Sequence, residues 1–103
     1  MALVVGEVFR RAAAVTPERV AASLGGSAVT FGEVDRVANG TAGALRTAGV
    51  GRGDRVAWWG GTTLDAVPLF AAVAKVGAVF VPLNPGLSPE EAAPILERAR
   101  PRL

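Results

Sequence analysis

The chain has 103 residues, half of them apolar, with eleven basic against nine acidic side chains and a formal net charge of +2. That length allows one domain at most, and that apolar content excludes a disordered chain. Cysteine and histidine are both absent, which excludes a disulfide framework, a thiolate or imidazole metal site, and nucleophilic catalysis by a Cys–His or Ser–His pair.

Ten of the eleven cations are arginines scattered along the sequence. The high isoelectric point therefore does not mark a basic stripe, and no nucleic-acid partner is expected. The longest apolar candidate, Ala66 to Leu83, is interrupted by Pro68, Lys75 and Gly77. It falls short of the ~20 residues a membrane span needs, so no transmembrane segment is expected. No basic region precedes a long apolar core at the N-terminus, so a secretory signal is not expected and the cytoplasm is the default location.

Val5 to Val15 reads as a first helix, with Val8, Phe9, Ala12 and Val15 on one face. Thr16-Pro17-Glu18 ends it, because the residue before a proline avoids the α region. Val20 to Leu24 is a short strand, Gly25-Gly26-Ser27 a hairpin turn and Ala28 to Thr30 the return strand. Thr30-Phe31-Gly32-Glu33 then fits a capping box, a Thr N-cap with an acid three residues on. A Thr–Glu catalytic pair is the alternative reading, but an amphipathic run follows at once, which favours a helix start. Val34, Val37, Ala38, Ala42, Leu45 and Ala48 repeat at helical spacing. Gly40 and Gly43 lie inside that helix and cost about 1 kcal/mol each relative to alanine. Either a neighbour packs closely there or the helix is marginal.

Gly49-Val50-Gly51-Arg52-Gly53-Asp54 looks like a phosphate cradle, yet it follows a helix and precedes a strand. The reverse order is needed to aim a helix N-terminus at a phosphate, so a C-cap and a turn are expected. Arg55 to Trp59 is the next strand. Gly60-Gly61-Thr62-Thr63 does follow a strand and precede a helix, but lacks the Lys-Ser/Thr of a P-loop and the dinucleotide glycine spacing. The helix after it must place Pro68 in its first turn, which makes Asp65 the N-cap and Val76 the end. Its nearly all-round apolar surface implies burial on most sides. Gly77 is the C-cap, with Lys75 in the last turn where the helix dipole favours a cation. Ala78 to Val81 is a buried strand that Pro82 and Pro85 should stop from continuing as a regular central strand. Ser88-Pro89-Glu90-Glu91 is a second capping box with proline at the first helical position. That helix should reach Arg98 or Arg100, with Pro94 kinking or splitting it. Arg102-Leu103 reads as a first step into a further strand.

Strands alternating with helices imply an α/β fold: a partial parallel βαβ sheet with flanking helices and a small N-terminal hairpin. A parallel sheet is normally covered on both faces and flanked by more strands, and this chain has too few. Residues 1–103 are therefore expected to form an incomplete N-terminal piece of a larger domain.

In that order the motifs resemble the N-terminal region of the AMP-forming, adenylate-forming ligases: acyl-CoA synthetases, adenylation domains of nonribosomal peptide synthetases and firefly-type luciferases. The resemblance runs from Phe9 to Leu103. Thr16-Pro17-Glu18-Arg19-Val20-Ala21 resembles the family's opening phrase. Val29-Thr30-Phe31-Gly32-Glu33-Val34-Asp35 is similar to its first core motif, typically Leu-Thr-Tyr-x-Glu-Leu-Asp. Gly49 to Ala57 matches the phrase before the next strand, and Ala74 to Asn84 is close to the second core motif. The resemblance implies a two-step reaction. A carboxylate attacks the α-phosphate of ATP with Mg²⁺ present, giving an acyl-adenylate and pyrophosphate; a thiol, usually of coenzyme A, then displaces AMP. Asn84-Pro85 is more typical of acyl-CoA synthetases than of peptide-synthetase domains, which implies a fatty or related carboxylic acid as substrate.

The family's working residues lie downstream: the phosphate loop with its lysine, the ribose-binding aspartate, the hinge and the late catalytic lysine. No catalytic, cofactor-binding or metal residue is therefore assigned. This chain alone is expected to be inactive and to bind none of ATP, Mg²⁺ or coenzyme A, with the remainder of the ligase chain needed to complete the sheet. Three departures from the family pattern stand out: Trp58-Trp59-Gly60-Gly61 in place of aliphatic residues and a Pro-Asn-type turn, Pro68, and Pro94. They leave open a non-catalytic degenerate stub or small interaction module derived from the family. An independent nucleotide-binding βαβ module lacks the glycine fingerprint.

Overall fold

The elements of the chain come in the expected order: α1 (Val5–Val15), β1 (Val20–Leu24), β2 (Ser27–Thr30), α2 (Phe31–Thr47), β3 (Arg55–Trp59), α3 (Ala66–Val76), β4 (Val79–Leu83) and α4 (Pro89–Ala99). They are seen in a computed structural model that describes residues 5–61 and 63–103. β1 and β2 form an antiparallel hairpin of their own. Its turn is the pair Gly25 and Gly26, with φ of +54° and +84°. Two successive positive φ angles suit a two-residue hairpin turn and are taken freely by glycine, so the return strand starts at Ser27, one residue earlier than expected.

β3 and β4 are parallel, with Val56 opposite Phe80 and Trp58 opposite Pro82, and α3 is the crossover between them. The core lies where α2 and α3 meet this small sheet. Val34, Ala38, Ala42 and Leu45 of α2 are buried with Ala71, Ala72 and Val73 of α3, and with Val50 and Val56. The alanines on both helices let their backbones approach closely, and one buried stripe per helix satisfies the 3.6-residue period. On the edge of β3 away from β4, the Arg102 N–H donates to the Arg55 carbonyl at 2.6 Å, and the Ala57 N–H to the Leu103 carbonyl at 2.9 Å. Residues 102–103 thus take the first step along a third strand position. Among the described residues, no helix is long and apolar enough to cross a membrane.

Three expectations are corrected. The α1 face of Val8, Phe9, Ala12 and Val15 is only half used: Phe9 packs against the core and Ala12 is half-buried, but Val15 is 80% exposed and Val8 44%. Gly6 is buried instead, because a Cβ there would lie 3.0 Å from the Cα of Lys75, and α1 uses this bare backbone to approach α3. Pro82 does not stop β4, which runs on to Leu83. Val79 donates its N–H to Asp54 on the β3 side; N–H directions alternate along a strand, so the missing N–H of Pro82 falls on the unpaired side. Pro94 does not split α4, which is continuous from Pro89 to Ala99. Proline there removes one hydrogen bond on an exposed helix. α3 is buried on most sides as expected: Pro68, Ala71, Ala72 and Val73 are buried, and Phe70 is its one exposed residue, at 39%.

Candidate functional site

An apolar cavity opens at the C-terminal ends of β3 and β4. It has a volume of about 480 Å³ and is lined by Trp58, Gly60, Gly61, Thr63, Ala66, Val67, Phe70, Phe80, Pro82, Leu83 and Pro85. Ligands of parallel α/β sheets bind beyond the carboxyl ends of the strands, so the position fits a site. Local chemistry shapes it. Trp58 and Phe80 point to the α3 side as neighbouring members of paired registers. A Cβ at Gly60 would lie 3.0 Å from the Trp58 indole, so glycine there lets the ring lie against the backbone. Phe70 stands edge-on to Phe80, with ring centroids 5.5 Å apart, and also to Phe9 of α1 at 6.3 Å. This T-shaped series ties α1, α3 and β4 together.

The lining holds one side-chain hydroxyl, that of Thr63, and no charged group. Such a cavity can take up an apolar group. It has no acid or base to move a proton and no cation to meet a phosphate. The described residues therefore do not fit a nucleoside triphosphate or a magnesium ion at this place. Of the expected strand-to-helix loop, Gly60, Gly61 and Thr63 form part of the rim, and Thr62 lies outside the described residues. Asp65 sits at the N-cap of α3 as expected, but in helical geometry and without a side-chain capping bond. Pro68 falls in the first turn of that helix.

The other candidates have structural employment. The Thr30 hydroxyl accepts the Glu33 N–H at 3.2 Å, and the Glu33 carboxylate accepts the Thr30 N–H at 3.1 Å. This capping box, led by the Thr30 backbone bond and helped by the Thr30 hydroxyl, holds the Glu33 carboxyl below its ordinary value. Ser88 and Glu91 repeat the arrangement at α4, again with the carboxyl lowered by the backbone bond first. The loop after α2 is a C-cap and turn, with Gly49 and Gly53 at φ of +91° and +83°. Asp54 accepts the Gly51 N–H there at 2.8 Å. Asn84 accepts the Gly86 N–H at 2.8 Å, a turn that an aspartate could close equally well.

Sequence reasoning missed the partner of Lys75. Its Nζ donates to the Asp35 carboxylate at 2.6 Å, across from α3 to α2, with the two side chains 12% and 19% exposed. The only sign of it in the sequence is that Lys75 is the single charge between Ala66 and Leu83. Lys75 is absent from the cavity lining.

The sequence pattern of the family described as AMP-binding enzyme matches residues 9–103. Tyrocidine synthase 2 of Brevibacillus parabrevis is 36% identical over 94 residues, which cover 91% of this chain and 3% of that protein. The 3-oxocholest-4-en-26-oate–CoA ligase of Rhodococcus rhodochrous is 36% identical over 84 residues, covering 82% of this chain and 15% of the ligase. The solved complex of VinN with 3-methylaspartate matches the fold with a TM-score of 0.90 at 26% identity, covering 96% of this chain and 28% of VinN. The chain thus spans a small part of each relative.

Proposed function

From the premise that this chain belongs to the AMP-binding enzyme family, we propose that it is the N-terminal segment of an AMP-forming carboxylic acid–CoA ligase. The observation that carries the reading is the match over residues 9–103 together with CoA-ligase relatives. The segment is an incomplete subdomain, and its contribution is framework. It brings a two-stranded parallel start of a sheet, a helix pair pinned by Asp35 and Lys75, and an apolar cavity at the strand ends. ATP, Mg²⁺, coenzyme A and the carboxylic acid belong to the complete ligase, whose reacting groups lie outside these residues. The uncharged cavity supports this division, because nothing in its described lining would stabilise charge developing on a phosphate.

Two measurements test the proposal. The 103-residue chain, given ATP, Mg²⁺ and a panel of carboxylic acids, should release no pyrophosphate above the blank. Saturable, acid-dependent release would overturn the framework reading. A chimera with this chain in place of the matching segment of the Rhodococcus rhodochrous ligase should fold and retain CoA-thioester formation. A chimera that folds, by circular dichroism and a cooperative melt, yet forms no thioester would overturn membership of a working ligase.

A further inference from the structure

We draw no further inference here: the strongest candidate, the apolar cavity at the C-terminal ends of β3 and β4 walled by Trp58, Phe70 and Phe80, carries none, because this chain spans a small part of each relative and nothing in the structure shows what covers that opening.

Discussion

Replacing Gly40 and Gly43 with alanine should stabilise the chain. Both glycines lie inside α2 on its exposed side. A Cβ added at either would meet no atom within 4 Å, and neither has a positive φ. Close packing, the one structural reason for a glycine there, is therefore absent among the described residues. Each substitution should gain about 1 kcal/mol, partly from helix propensity and partly from a less free unfolded chain. For a chain of this size 1 kcal/mol raises Tm by about 4–8 °C, so the double variant should melt about 10 °C higher. Far-UV circular dichroism during heating and urea titration measure it. Gly6→Ala and Gly77→Ala are the controls. The first drives a Cβ to 3.0 Å from the Lys75 backbone, and the second forces alanine into a φ of +80°; both should lower Tm. A lower Tm for Gly40→Ala or Gly43→Ala would refute the reasoning, because it would require the outer face of α2 to be covered in solution.

The Asp35–Lys75 pair should matter through its removal. Lys75→Ala leaves a largely buried carboxylate alone and should cost about 3 kcal/mol, whereas Asp35→Leu/Lys75→Met should restore most of that; an urea-melt double-mutant cycle decides. Stability should also fall in acid. The Glu33 and Glu91 carboxyls lie below 4.5 when folded, so the folded state binds fewer protons, and the contribution is complete above about that pH. It is lost as the pH falls through the lowered values, and Glu33→Gln/Glu91→Gln should flatten this part of the pH–stability curve. Phe70→Ala removes the middle ring of the Phe9–Phe70–Phe80 series and should cost about 2 kcal/mol, read in the same melts; an unchanged Tm would show that the rings touch without stabilising.

What the sequence made legible was whatever is settled within a few residues. Thr30 with Glu33, Ser88 with Glu91, the Gly77 cap and the Gly25-Gly26 turn each close a hydrogen bond or fix a φ locally, so residue type and spacing suffice. The errors share a different origin. Val8 and Val15 share a helical face with Phe9 and Ala12, yet of the large residues only Phe9 reaches the core, because α1 docks beside Gly6, whose value lies in the Lys75 backbone it approaches. Pro82 looked like a strand breaker because its missing N–H has a direction only once β3 is placed beside it. Pro94 looked disruptive because the exposure of α4 is a tertiary fact.

The site was the least legible part, and for a physical reason. Gly60-Gly61-Thr62-Thr63 invited an anion reading by composition, yet a phosphate turn needs donors converging on open space with a cation nearby. The structure instead lays the Trp58 indole on Gly60 and sets Phe70 and Phe80 beside it, so the same glycines serve an apolar wall. Lys75, the one lysine of the chain, is held by Asp35 between α2 and α3 and does not line the cavity. Its charge therefore ties α2 to α3, the helix that lines one side of the cavity, and does not face the cavity itself. A charged residue in an apolar run is thus ambiguous until its partner is known, and here the partner lies forty residues away, beyond the reach of any local pattern.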